Sequence, residues 1–326
     1  MGSKSGMGKL RLIAGSASQE LAMKISNLVK VPLTSIEDKR FANGEIYVRI
    51  INKVRGDDVY IIQSLISPAN DNLMELLLLI DALKRASAGR INLICPNLCY
   101  SRQDRKIESR EPISAKLVAD LLSVAGANRL VTVDLHADQI QGFYNIPVDH
   151  FLGYPLFAGY IKKHYSKKEM VIVAPDIGGT KRANKMADLL GLRIAIIDKV
   201  RKEHNQSEVM HVVGEVKDKV AVIIDDIIDT AGSITKAAEA VMKEGAKEVI
   251  ICGTHAILSG QATKNLEKCC ASKILLTDTV PIEKEKISKK MVILSVAPLL
   301  AKIIKRIHLD RSLGELFKWE DKKRVL

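Results

Sequence analysis

The sequence predicts an α/β protein made of two similar domains, each a mainly parallel sheet flanked by helices. Three observations carry this expectation. Short β-branched runs alternate with segments of helical period along most of the 326 residues. The strand-like runs are continuously apolar, as strands covered on both faces must be. The chain also echoes itself. SAKLVADLLSVAGANRLVTVDLHA, residues 114–137, is matched at a constant offset of 119 by SITKAAEAVMKEGAKEVIICGTHA, residues 233–256, with Gly-Ala and His-Ala in register. Each copy reads as helix, Gly-Ala turn, strand and histidine.

In chain order, strands are expected at 10–14 (LRLIA), 46–50 (IYVRI), 59–63 (VYIIQ), 91–95 (INLIC) and 130–134 (LVTVD). They continue at 171–174 (VIVA), 193–197 (RIAII), 220–224 (VAVII) and 249–253 (VIICG). Apolar residues at helical spacing place helices at 72–88, 114–125, 180–190 and 233–243 between them. The stretch 145–155, with two prolines and a glycine, fits a linker. Domains are therefore expected at 9–152 and 153–317. Residues 1–8 are small and polar and read as a tag, with a start near Met7, and the tail 318–326 receives no role.

A chain that is 47% hydrophobic and 27% charged is globular. No apolar run reaches the roughly 18 residues of a membrane span, and no signal peptide is visible, so a cytoplasmic protein with no membrane partner is expected. Five cysteines form no pair of CxxC motifs, which speaks for reduced thiols and against a zinc site. The net charge of +12 suits an anionic ligand. Aromatic residues make up only 4%, little material for base stacking, so a small phosphorylated ligand is favoured over nucleic acid.

The most informative stretch is VAVIIDDIIDTAGSITKAAEAV, residues 220–241. An apolar run meets Asp225 and Asp226, then Asp229, then Thr230, Ala231, Gly232 and Ser233 at the start of a helix. Ligands of open parallel sheets sit at the carboxyl ends of strands. Amides of 229–233 at a helix start would seat a phosphate, with Gly232 permitting close approach and Thr230 and Ser233 adding hydroxyls. Carboxylates repel that phosphate and need hydroxyls or a metal. A ribose phosphate satisfies both halves. A simple helix cap would explain one polar residue but not three carboxylates.

Other segments are weaker alone. His136 follows a strand in VTVDLHADQIQGF; Asp176, Gly178-Gly179 and Lys181-Arg182 in VAPDIGGTKRA suggest a metal–phosphate site. Arg102 to Arg110 is strongly basic, and Arg102 could fork onto phosphate oxygens. Residues 199–208 lack an apolar period and read as a basic loop suited to closing over a charged transition state.

FANGE, SRQDRK, REPISAKLVA, DLHADQIQGF, PDIGG and VIIDDIIDTAGSI, in this order, closely resemble the blocks of the ribose-phosphate pyrophosphokinase family over about residues 9–317. The resemblance implies two phosphoribosyltransferase-like domains and transfer of the pyrophosphoryl group of Mg-ATP to the C1 hydroxyl of ribose 5-phosphate, giving phosphoribosyl pyrophosphate and AMP. By the same resemblance Asp225 and Asp226 hold the ribose hydroxyls or a metal, and Asp229, Thr230, Ala231, Gly232 and Ser233 hold the 5-phosphate. Arg102 and Gln103 match ATP contacts, as do Phe41, Asn43, Gly44 and Glu45, a segment that in the family reaches a neighbouring subunit's site. Asp149 matches a residue near the adenine, His136 and Asp176 match Mg2+ ligands, and Lys199 and Arg201 match the catalytic pair of the flexible loop. A homo-oligomer is implied, at least a dimer, with a hexamer as the family assembly.

Two positions depart from the family pattern. Where many members carry serines of a regulatory phosphate/ADP site, this chain has Lys53 in INKVRG, and Gly314 after Ser312 in RSLGELF. Losing two hydroxyls and gaining an ammonium changes anion binding. An altered response to inorganic phosphate and ADP is expected, with the active site intact. Steady-state rates across a phosphate titration check this; strong phosphate activation with ordinary ADP inhibition would count against it. Two alternatives remain: a phosphoribosyltransferase, which shares the DDxxDTAG-type loop but needs neither FANGE nor SRQDR, and a catalytically silent synthetase-associated subunit.

Overall fold

The computed structural model describes residues 8–165, 169–200 and 209–317, with the side chains of 199, 200 and 209 outside the description. Residues 1–7 of the expected tag (1–8), the tail (318–326), and residues 201–208 of the expected basic loop, Arg201 among them, fall outside the described residues. The chain divides into two compact units.

The first unit opens with β1 (Leu10–Ala14) and α1 (Gln19–Val29), then a hairpin of β2 (Ile36–Arg40) and β3 (Ile46–Ile50). There follow β4 (Asp58–Ile62), α2 (Ala69–Arg85), β5 (Arg90–Ile94), α3 (Ser114–Ala125), β6 (Arg129–Val133) and β7 (Val148–Phe151). Five strands form a parallel sheet in the order β1-β4-β5-β6-β7, and β2 and β3 form their own antiparallel pair. Strand residues alternate between faces. Ile13, Val59, Ile61, Ile91 and Leu93 pack under α2 and α3 in one core. The expected strand 46–50 forms, but outside the parallel sheet: its residues are only partly buried, and Val48 and Ile50 lean on the core.

The second unit contains α4 (Tyr154–His164), β8 (Met170–Ala174), α5 (Thr180–Leu190), β9 (Arg193–Val200) and β10 (Val209–Val213). It continues with β11 (Val220–Ile228), α6 (Gly232–Lys243), β12 (Glu248–Ala256), α7 (Ala262–Lys268), β13 (Lys273–Thr277) and β14 (Met291–Leu294). Among the described residues the sheet runs β10-β9-β8-β11-β12-β13-β14, parallel except for edge strand β10. The order reverses between β8 and β11, where an open sheet splits to admit a ligand.

The internal echo is structural. β6 and β12 begin at 129 and 248, matching the sequence offset, and α3 and α6 precede them. The row β1-β4-β5-β6-β7 has the same parallel layout as β9-β8-β11-β12-β13, though β1 precedes β4 while β9 follows β8. The connections after β5 and β11 therefore occupy equivalent places. One is the long segment 95–113; the other is the three residues 229–231.

The expected second domain, 153–317, is divided differently by the structure. The break after Phe151 lies close to the expected boundary, but residues 279–281 and 296–317 belong to the first unit. That return is made by α8 (Ala297–His308) and the single turn α9 (Gly314–Phe317). Helix α8 carries an apolar stripe of Leu299, Leu300, Ile303, Ile304 and Ile307, all buried, and packs on α1. Helical period reveals such a stripe but not which sheet it covers.

A buried polar network fixes the return. Asp58 is 1% exposed and accepts hydrogen bonds from Arg90 (2.7 and 2.9 Å), Asn92 (2.9 Å) and the Tyr60 hydroxyl (2.8 Å), with His308 Nδ1 at 2.9 Å. Arg90 also donates to the Ile307 carbonyl at 3.2 Å. Burial alone would raise the Asp58 carboxyl, but the bonds from Arg90, His308 and Tyr60 outweigh it and hold it below its ordinary value. This stabilisation is present above the ordinary carboxylate range and is lost as pH falls through the depressed value. Asp58→Asn should destabilise the protein by about 3–5 kcal/mol, because Arg90 loses its buried counter-charge. Urea unfolding checks this, and a loss below about 1 kcal/mol, the level of an exposed pair, would contradict it.

Candidate active site

The site stretch begins inside a strand rather than after one. The apolar run ends at Ile224, yet β11 continues to Ile228 because β12 pairs with it as far as Ile228↔Ala256. On its other side β8 pairs only through Ile223↔Val173. Asp225 and Asp226 thus lie where β11 keeps one neighbour and has parted from the other, at the reversal of strand order. Opposite Asp225 stands Gly253. A Cβ there would sit 2.4 Å from Ile228 Cδ1, so the glycine makes room for β11 to pack.

Arg182, on α5, faces both carboxylates: its NH1 nitrogen lies 3.5 Å from Asp225 Oδ1 and 3.2 Å from Asp226 Oδ1. Asp226 is 6% exposed, and its backbone N–H donates to Asp225 Oδ1 at 2.9 Å. Burial, and then the adjacent Asp226 carboxylate, push the Asp225 carboxyl well above the ordinary range, with Arg182 pulling the other way. Sequence reasoning noted Lys181-Arg182 only as a basic helix start; the approach of Arg182 to β11 is tertiary.

Past Asp229 the chain turns into α6. The N-cap residue is Ala231, in the left-handed region at φ 63°, and no side-chain hydrogen bond caps the helix. A methyl group cannot accept a hydrogen bond, so Ala231 is no substitute for a polar cap. The unusual backbone falls on Ala231 rather than Gly232, a strained position of the kind that clusters at ligand sites. Gly232 serves differently: a Cβ there would meet nothing closer than Thr230 Oγ1 at 3.9 Å, so its surroundings are open to a ligand. Thr230 and Ser233 are exposed. The Thr230 carbonyl accepts from Asn265 and the Asp229 carbonyl from Ser259 N–H (3.1 and 3.0 Å), which fixes the turn.

On the same edge of this sheet, Asp176 follows β8 and accepts the Gly179 N–H at 2.9 Å, shaping the start of α5. Lys199 lies near the end of β9, its backbone paired with Met210. The expected loop 199–208 therefore starts within a strand.

The first unit carries the remaining residues. Phe41, Asn43, Gly44 and Glu45 form the tip of the β2–β3 hairpin. Gly44 takes φ 91°, its N–H donates to the Phe41 carbonyl, and Phe41 N–H donates to the Glu45 carbonyl, both at 2.9 Å. Phe41 is 49% exposed and meets Tyr47 edge-on. Arg102 and Gln103 lie on the segment after β5 and are exposed. Gln103 anchors α3: Ser114 Oγ donates to its Oε1 (2.6 Å) and Ala115 N–H to its carbonyl (3.1 Å). His136 is exposed on the segment after β6, and Gln139 Nε2 donates to Asp104 at 3.3 Å, joining these two segments. Below His136, Leu135 N–H donates to His150 Nε2 at 2.9 Å.

Asp149 is placed elsewhere in the first unit. It lies on β7, paired with Arg129 at 2.5 Å. With Arg90, Arg129, Asp310, Arg311 and Ser312 it lines a cavity of about 360 Å³. Ser312 Oγ there accepts the Gly314 N–H at 3.1 Å, and Lys53 is exposed on the segment before β4. All five cysteines are free, and four of them are buried.

Two family profiles match the chain: the N-terminal domain of ribose phosphate pyrophosphokinase over residues 10–126, and the phosphoribosyl synthetase-associated domain over 205–318. A ribose-phosphate pyrophosphokinase of Clostridium tetani is 50% identical over 94% of this chain and 97% of its own length. One of Fusobacterium nucleatum is 50% identical over 94% and 98%. The crystal structure of a phosphoribosylpyrophosphate synthetase from Mycobacterium smegmatis superposes with a TM-score of 0.89 at 46% identity, over 93% of this chain and 99% of that one. With near full-length relatives at half identity and the fold in common, the chain belongs to the ribose-phosphate pyrophosphokinase family.

Proposed function

We infer that this chain makes 5-phosphoribosyl 1-pyrophosphate from ribose 5-phosphate and Mg-ATP, releasing AMP. The observation that carries the reading is the β11–α6 junction, where an aspartate pair at the strand reversal adjoins the open start of a 12-residue helix. Amides of the first turn and the hydroxyls of Thr230 and Ser233 bind the 5-phosphate. Asp225 and Asp226 accept hydrogen bonds from the ribose hydroxyls. Arg102, Gln103 and the Phe41–Glu45 tip bind ATP, the tip serving a second copy of the chain in a homo-oligomer. Asp149, expected near the adenine, is left out, because it pairs with Arg129 at the beginnings of the parallel strands whereas Arg102 and Gln103 follow their ends.

The C1 hydroxyl oxygen forms a bond to the β-phosphorus, the bond from that phosphorus to the α–β bridging oxygen breaks, and AMP leaves with that oxygen. The hydroxyl proton is released. No protein nucleophile takes part, so the residues act by positioning and by stabilising charge. Lys199 and Arg201 meet the charge that develops on the transferred group.

His136 and Asp176 are the proposed Mg2+ ligands. Among the described residues no group of three or more His, Cys, Asp or Glu side chains could hold a metal. His136 and Asp176 lie in different units and each is proposed for itself. The Asp176 carboxylate fits magnesium carried by a nucleotide, an ion that keeps waters and phosphate oxygens and takes one or two carboxylates from a protein, better than the His136 imidazole does. Bound there, the ion would neutralise phosphate charge. No described helix is long and apolar enough to cross a membrane; a cytoplasmic location remains part of the proposal. Release of AMP by the purified chain, dependent on both ribose 5-phosphate and magnesium, tests the reading. Absence of AMP would reject it, and with it favour the silent-subunit alternative.

A further inference from the structure

We propose that Arg182 is a positioning residue for the sugar acceptor, bridging Asp225 and Asp226 so that both carboxylates are presented to ribose hydroxyls rather than to a metal. This deepens, and rests on, the reading of the β11–α6 junction as the ribose 5-phosphate site. Two adjacent carboxylates at a partly desolvated position need a counter-charge. The sequence alone left that charge open between substrate hydroxyls and a cation. The structure supplies it from the protein: one guanidinium nitrogen stands 3.5 Å from Asp225 and 3.2 Å from Asp226, on a side chain only 16% exposed.

The support beneath Arg182 is rigid. Asp176 and Gly179 shape the start of α5, and the Ala183 N–H donates to the Gly179 carbonyl at 3.0 Å, so Arg182 sits in the first turn of a well-formed helix. A planar guanidinium can address two carboxylates at fixed geometry, whereas an ammonium is a point charge on a flexible stem. Arg182 touches the groups that hold the sugar and acts through them.

The test is a double-mutant cycle in the full chain, using Arg182→Met, Asp225→Asn and their combination, with Arg182→Lys as the conservative variant. Thermal midpoints and the KM values for ribose 5-phosphate and Mg-ATP are measured for each. Arg182→Met should raise the ribose 5-phosphate KM by about ten- to a hundredfold and change the Mg-ATP KM by less than about twofold, as expected when the two carboxylates that hold the sugar lose the cation that fixes them. Arg182→Lys should recover part of that loss. Asp225→Asn should raise the midpoint of Arg182→Met by clearly more than it raises that of the wild type, because the repulsion it removes is the one that Arg182 offsets.

Additive midpoints, or equal rises in both KM values, would overturn the assignment of Arg182 even if Asp225→Asn raises the ribose 5-phosphate KM. An unchanged ribose 5-phosphate KM in Asp225→Asn would instead remove the sugar site itself, and the proposal with it.

Discussion

Lys199→Ala is expected to lower kcat by about a thousandfold, the scale associated with losing a cation from a phosphoryl-transfer transition state, while the KM for ribose 5-phosphate stays nearly constant. The backbone of Lys199 lies near the end of β9, beyond the last β8–β9 pair, Ala174↔Ile196. That end faces the same sheet edge as Asp176 and the β11–α6 junction. Its ammonium is proposed to meet charge that grows only as the pyrophosphoryl group moves, and a contact made only in the transition state changes kcat rather than ground-state binding. Steady-state kinetics of the variant check this. A normal kcat would remove Lys199 from the catalytic role, and a rise in the ribose 5-phosphate KM alone would reassign it to binding.

Asp225→Asn should do two opposite things. It should lower kcat/KM for ribose 5-phosphate by about a hundredfold, since a hydrogen bond to a charged acceptor contributes on the order of 1.5–3 kcal/mol. It should also raise the thermal midpoint of the ligand-free protein at neutral pH. Burial and the neighbouring Asp226 raise the Asp225 carboxyl, so the folded state holds that proton more tightly than the unfolded chain. Stability contributed by the protonated form is therefore lost as pH rises from the ordinary carboxylate range through the raised value. Asparagine removes that loss. A pH series of thermal midpoints should show wild type and variant converging in acid and diverging towards neutral pH, with the variant higher. A variant less stable than wild type at neutral pH would contradict the assignment of a strained carboxylate pair.

Much of the core was legible in the sequence because local pattern determines it. The runs LRLIA, VAVII and VIICG are apolar on every residue or nearly so, and they became β1, β11 and β12. α3 and α5 formed at 114–125 and 180–190, as their period indicates. Legibility failed where a neighbour decides the outcome. Asp225 and Asp226 extend a strand because β12 offers partners that β8 does not. The short strand β7, VDHF, has too few apolar residues to stand out, and forms by pairing with β6. α8 is visible as a stripe, but its docking on α1 and its tie to Asp58 are long-range.

The candidate site divides in the same way. The DDIIDTAGS segment announced its chemistry through composition, whereas the bridge from Arg182 and the left-handed turn at Ala231 could not be read from it. Gly232 could be read as the point of close approach, and its surroundings are open, but the positive φ one position earlier, at Ala231, could not. The pairing of Asp149 with Arg129 is equally a product of β6–β7 register. For Arg182 and Asp149 the side chain's partner comes from another element of its unit, and only the fold chooses it.

The most direct measurement is 31P NMR of the purified chain turning over Mg-ATP and ribose 5-phosphate. Equal amounts of AMP and 5-phosphoribosyl 1-pyrophosphate, with no ADP formed, are predicted. ADP as the nucleotide product would mean transfer of a single phosphoryl group, and that result, or no turnover at all, would contradict the reading of this chain as a pyrophosphoryl transferase.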